Sequence, residues 1–172
     1  AMPAPAANGA AGRKTRPTPD AKSVDAAASI VDAAKSPFLI VGGGAVDCAD
    51  AVIAFAERID ADVAVTIAAK GVVPDSHPNC LGATLVQGAT QKAIEAADVL
   101  IAVGTELAET DLWTDRLPIR GKLVRIDIDR PTLNRDYPPA AALHGDAGQS
   151  LAALSAAVAR KQASNSRAQA RD

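Results

Sequence analysis

Two runs of uninterrupted apolar residues, each halted by glycine, limit the folds open to this chain. Phe38-Leu39-Ile40-Val41 runs into Gly42-Gly43-Gly44, and Val99-Leu100-Ile101-Ala102-Val103 runs into Gly104. A strand with one face in water alternates apolar and polar side chains. These runs do not, so both of their faces must be buried. Val63 to Ile67 and Leu123 to Ile128 add two further strands, and Ala141 to His144 a short last one. Helical spacing fills the intervals. Asp20 to Lys35 places Val24, Ala27, Ala28, Val31 and Ala34 on one face, with Asp20 at the N-cap. Asp47 to Asp60 does the same with Ala51, Val52, Phe55, Ala56 and Ile59. Thr90 to Ala97 is a short helix, Asp111 to Arg116 a helical turn, Pro131 to Arg135 a proline-started turn, and Gly148 to Arg160 a closing helix. Lys70 to Gln87, rich in Gly and Pro, carries no element. Doubly buried strands alternating with helices predict a parallel sheet of about five or six strands, helices on both faces. That is an α/β, doubly wound, Rossmann-like domain.

Composition narrows the partners. Apolar residues make up 48% but aromatics only 2%, so Ala and Val build the core and each buries less area than Leu or Phe would. Eighteen Lys and Arg stand against twenty Asp and Glu, a net charge of -2, which argues against nucleic acid because phosphate binding needs a basic surplus. No apolar run approaches the roughly 18 to 20 residues of a membrane span. Ala1 to Asn8 lacks the charged region and apolar core of a secretory signal. Cys48 and Cys80 have no CxxC or His companions, as expected of incidental thiols in a reduced, cytoplasmic protein. Residues 1–19, rich in Ala and Pro with a basic knot at Arg13, Lys14 and Arg16, read as a flexible linker. Residues 160–172 read as a disordered polar tail, leaving a body at 20–159.

In such a sheet, ligands bind beyond the carboxyl ends of the strands. Gly42, Gly43 and Gly44 end the first strand before a helix, where bare backbone amides can cradle a pyrophosphate or simply make a tight turn. The dinucleotide fingerprint GxGxxG would place its third glycine at Asp47, and no acid closes the second strand to hold a ribose. A free-standing nicotinamide-dependent enzyme is therefore disfavoured. His77 and His144 have no ligand partners at metal spacing and are expected to fix loop geometry by hydrogen bonds. Asp127 and Asp129 close the fourth strand, where they can hold a ribose or cap the turn at Pro131. Glu106, Glu109 and Asp111 follow Gly104-Thr105 as a solvated or capping acidic loop. No Ser-His-Asp order, GxSxG elbow or Walker loop is present, so no residue is assigned as catalytic or as a metal ligand.

Taken in order, these stretches resemble the central domain of thiamine diphosphate (thiamine pyrophosphate)-dependent enzymes, the family of acetolactate synthase, benzoylformate decarboxylase, pyruvate oxidase and oxalyl-CoA decarboxylase. The resemblance rests on Pro37 to Gly44, on Lys70-Gly71-Val72-Val73-Pro74-Asp75-Ser76-His77-Pro78 with Leu81-Gly82, and on Ala97 to Thr105. Ile126 to Asp129 and Gly145-Asp146-Ala147 complete it. It implies a parent lyase or transferase that decarboxylates or ligates a 2-oxo acid, with thiamine diphosphate and magnesium held by flanking N- and C-terminal domains outside this segment. The parent would be a homodimer or homotetramer, and this domain a scaffold and subunit contact, inactive alone. Gly145-Asp146-Ala147 superficially resembles the family's magnesium motif but opens the closing helix, so it is not assigned to metal. The family's central domain holds FAD in some members, ADP in others and nothing in several. The matching positions are Gly42, Gly43 and Gly44 for a pyrophosphate, Thr66, Gly104 and Thr105 for the flavin or ribityl side, and Asp127 and Asp146 for the adenosine end. Flavin-binding members resemble G-T-R-F-D-D-R after the third long strand, whereas this chain has Glu106 in place of the first arginine. Replacing attraction by repulsion toward a diphosphate puts FAD or ADP behind a ligand-free scaffold.

Overall fold

The computed structural model describes residues 16–161. Expectations for residues 1–15 and 162–172 lie outside them. Six strands form one sheet: β1 (Pro37–Val41), β2 (Asp62–Val65), β3 (Cys80–Gly82), β4 (Val99–Val103), β5 (Lys122–Asp127) and β6 (Ala141–His144). All pair in parallel, in the order β3-β2-β1-β4-β5-β6. The order reverses between β1 and β4, the switch point of a doubly wound fold.

The pleat sorts the apolar strand residues into two cores. Leu39, Val41, Val63, Val65, Ile101, Val103, Val124, Ile126 and Leu143 face one way. They are covered by α1 (Ala21–Ala33), α2 (Ala49–Ile59) and α5 (Ala147–Ala157). The helical spacing read from the sequence is the buried face: Val24, Ala27, Ala28 and Val31 on α1, Val52, Phe55, Ala56 and Ile59 on α2. Asp20 caps α1, its side chain accepting from the Ser23 amide at 3.0 Å. Phe38, Ile40, Ala64, Leu100, Ala102 and Leu123 face the other way. Their cover is α3 (Gly88–Ala96), the one-turn α4 (Glu109–Leu112) and loop residues Leu85, Leu107, Leu117 and Tyr137.

Three local expectations need correction. The helix foreseen from Asp47 starts at Ala49. Residues Gly43–Cys48 form a 3₁₀ turn instead, because the chain leaving β1 is pressed against the loop after β4 and winds tightly to escape it. Strand two ends at Val65, and Ile67–Ala69 turns away as another 3₁₀ segment. The stretch foreseen as featureless holds β3, whose three residues are too few to show any periodicity. The end of the expected linker is also docked. Arg16, Pro17 and Thr18 hydrogen-bond to the start of α5. At the other end, Lys161 donates to the Val31 and Ala34 carbonyls at the C-terminal end of α1. No helix among the described residues is long and apolar enough to cross a membrane.

Candidate functional site

Beyond the carboxyl ends of the strands, the sheet ladder continues for one more rung. The Thr66 amide donates to the Val41 carbonyl (2.9 Å), Gly42 to Val103 (2.8 Å), Gly104 to Ile126 (2.8 Å) and Gly145 to Asp127 (2.9 Å). These bonds hem the edge of the sheet from β2 to β6. Above the hem lies a cleft of about 390 Å³. Gly43, Gly44, Val46 and Asp47 line it from the β1 loop, and Gly104 and Glu106 from the β4 loop. Asp127, Ile128, Asp129 and Thr132 come from the β5 loop, Gly145, Asp146 and Ala147 from the β6 loop, and Arg16 completes the wall.

Of the positions expected to meet a nucleotide, Gly43, Gly44, Gly104, Asp127 and Asp146 reach this lining. Gly42, Thr66 and Thr105 do not line it. Thr66 is buried against the end of β1 through its amide. Thr105 is buried with its Oγ1 accepting from the Leu107 amide (3.1 Å). Gly42 faces the loop after β4 so closely that a Cβ there would lie 2.5 Å from the Thr105 Cβ. A Cβ on Gly44 would lie 2.8 Å from the Gly104 Cα, and the Gly44 amide donates to the Gly104 carbonyl at 3.0 Å. Gly104 itself has φ +57°, which favours glycine. The glycines thus let two loop backbones touch, and the touching spends the amides of Gly42 and Gly44.

The carboxylates are also engaged in loop architecture. Asp127 Oδ1 accepts from the Asp129 amide (2.8 Å), and Asp129 Oδ2 accepts from Thr132 Oγ1 (2.8 Å), so both shape the turn after β5. Asp146 caps α5 through the Gln149 amide (3.1 Å) and pairs with Arg16 (2.9 Å). The Arg16 bond, the largest influence, and the cap hold the Asp146 carboxyl below its ordinary range despite partial desolvation. Glu106 pairs with Arg135 at 3.2 Å. The lining carries five carboxylates against one guanidinium. Such a wall repels a diphosphate, and with the amides of Gly42 and Gly44 already bonded, the residues present do not fit one. Among the described residues no group of three or more His, Cys, Asp or Glu could hold a metal ion.

The histidines and cysteines offer no catalytic set. His77 Nδ1 accepts from the Asn79 amide (3.2 Å), which leaves Nε2 to donate to Glu57 (3.2 Å). His144 Nε2 lies 3.1 Å from the Ile128 carbonyl and Nδ1 3.3 Å from Arg130. Both rings fix loops. Cys48 and Cys80 are free thiols. Burial pushes the Cys48 thiol up, and Asp146 and Asp47 push the same way, so it stays protonated at neutral pH.

One structural side chain escaped the sequence reading. Arg125, 1% exposed in the middle of β5, donates from Nη1 to the Arg135 carbonyl (2.9 Å) and from Nη2 to the Thr105 (3.0 Å) and Glu106 (3.4 Å) carbonyls. It ties the loop after β4 to the turn after β5, and so sets two walls of the cleft. The signal was present: a lone cation inside an apolar strand must find acceptors in the interior.

With fold and cleft described, relatives can be set beside them. A family model described as "Thiamine pyrophosphate enzyme, central domain" matches residues 24–154. The chain belongs to that family. It is 44% identical over 142 residues to a protein of Pseudomonas aeruginosa named "Probable 2-ketoarginine decarboxylase", covering 83% of this chain and 25% of that one. It is 31% identical over 136 residues to the acetolactate synthase isozyme 1 large subunit of Escherichia coli, covering 77% and 24%. The chain therefore spans about a quarter of the length of these relatives. The benzoylformate decarboxylase structure from Polynucleobacter necessarius superposes with a TM-score of 0.78 at 24% identity, over 95% of this chain and 32% of that one, and so shares the fold.

Proposed function

We propose that this central domain is the non-catalytic middle module of a thiamine diphosphate-dependent lyase or transferase that decarboxylates or ligates a 2-oxo acid in the cytoplasm. Thiamine diphosphate and magnesium belong, in this reading, to the flanking N- and C-terminal domains of a homodimeric or homotetrameric parent. The module supplies scaffold and subunit contact. Relatives of which the chain spans about a quarter, carrying decarboxylase and synthase names, support the parent class. Trp113, 78% exposed, and Ile67, 70% exposed, support a contact role, since large apolar side chains standing in water are what a neighbouring domain covers.

The observation that carries the non-catalytic, nucleotide-free reading is the glycine seam. The Gly42 amide donates to Val103 at the end of β4 and the Gly44 amide to Gly104, and the missing side chains of both make room for the β4 loop. A ligand that binds only the native state must raise its melting temperature. Thermal melts of the 172-residue chain with FAD or with ADP are expected to show no shift. A saturable rise with either would replace this reading by that of a nucleotide-binding module.

A further inference from the structure

The four residues before α1 do more than lead into it. Arg16 Nη2 lies 3.1 Å from Asp47 Oδ2 and Nη1 lies 2.9 Å from Asp146 Oδ2. Asp47 belongs to the turn after β1, Asp146 to the loop after β6, so one guanidinium bridges two loops that line the cleft. Behind it, the Pro17 carbonyl accepts from the Asp146 amide (2.7 Å), and Thr18 Oγ1 donates to Gln149 Oε1 (2.6 Å). Pro19 rests on Gly145, where a Cβ would lie 2.8 Å from the proline ring. Every anchor except the Asp47 arm falls on the loop and first turn that open α5.

We propose that Arg16 to Pro19 form a strap, latched by charge, that closes the cleft and couples it to the chain entering the domain. The latch is a fork of two charge-assisted hydrogen bonds in a partly solvated setting, so it is strong in geometry and sensitive to ionic screening. Opening it would cost the Asp146 amide its acceptor and leave Asp47 and Asp146 without their shared cation. Nothing in this depends on which reaction a parent enzyme performs.

Hydrogen exchange on the 172-residue chain reads the strap directly, because the Asp146 amide is bonded to Pro17. In Arg16→Ala the Asp146 amide is expected to exchange several-fold faster, with Leu39 and Ile101 in the sheet unchanged. Arg16→Lys, which loses the fork but keeps the charge, falls between. Wild-type protein in about 1 M salt, where screening acts within about 3 Å, approaches the Arg16→Ala rate. Unaltered protection of the Asp146 amide in Arg16→Ala overturns the proposal. Should Arg16→Ala loosen the whole sheet, Asp47→Asn decides the matter: faster exchange confined to Asp146 supports the latch, and no change there refutes it.

Discussion

The two faces of the sheet solve the same burial problem with different materials. On one, α1, α2 and α5 bring 13, 11 and 11 residues of helix, and helices satisfy their own backbone. The core beneath them is apolar apart from Ser150 of α5, which is fully buried with no hydrogen-bond partner for its hydroxyl among the described residues. On the other, α3 has nine residues and α4 four, and loops complete the cover. Loop backbone brings unpaired carbonyls and amides into the interior, where each needs a partner. The partners are side chains. Arg125 donates to three carbonyls. Tyr137 places its hydroxyl 2.9 Å from the Leu117 amide, accepting from it. Gln91 donates to the Leu85 carbonyl (3.1 Å) and the Leu112 carbonyl (3.4 Å). A helix-covered face needs almost no polar side chains to satisfy backbone; a loop-covered face must carry them in its core.

The largest expected effect tests whether the faces differ in packing. Phe55→Ala, in the helix-covered core, should cost about 3–5 kcal/mol. Leu112→Ala, on the loop-covered face, should fall near the lower end of the roughly 2–5 kcal/mol range, because a one-turn helix and loops can settle into the cavity. Urea denaturation gives both values, and equal losses after allowing for side-chain size would break the comparison.

Arg125→Met comes next. It removes the donor and leaves the Thr105, Glu106 and Arg135 carbonyls inside without it, for a loss of about 2–4 kcal/mol by the cost of unsatisfied buried groups. Burial pushes the guanidinium's pKa down and Asp127 and Asp136 push it back up. An unchanged denaturation midpoint in Arg125→Met would show that the loop cover does not depend on this donor.

The smallest effect is in acid. Asp111, in α4 on the loop-covered face, has its carboxyl pKa raised by burial. Its folded state binds a proton more readily than the unfolded chain, so its contribution is best below the ordinary carboxylate pKa near 3.9 and is lost as pH rises through the folded value. Asp146 is the opposite case. Its lowered folded pKa contributes stability above about 3.9 that disappears as pH falls through the folded value. Asp111→Asn should therefore melt slightly higher than wild type at pH 7, with the gap closing toward pH 4. A gap that widens on acidification would contradict the sign.

The same contrast explains what the sequence disclosed. Helix cover is periodic, so the buried residues of α1 and α2 could be read from spacing alone, and β1 and β4 from their unbroken apolar runs. The parallel pairing of the strands followed from their alternation with helices. Loop cover has no period. Leu107, Leu117 and Tyr137 reach the core by irregular paths, and nothing local marks them. The cleft was legible in location, through Gly43, Gly44, Gly104, Asp127 and Asp146, because strand ends are easy to find. Its closure by Arg16 was not, because a basic residue among prolines looks like any solvated tail until a distant Asp146 is folded beside it.

The extra rung of bonds beyond the strand ends has a mechanical meaning. Carboxyl ends of adjacent strands usually splay, and a crevice there can flex to suit what enters. Here the floor is stitched from Thr66 to Gly145 by main-chain bonds. Anything that meets this edge, a molecule or a neighbouring domain, finds a bed already cast.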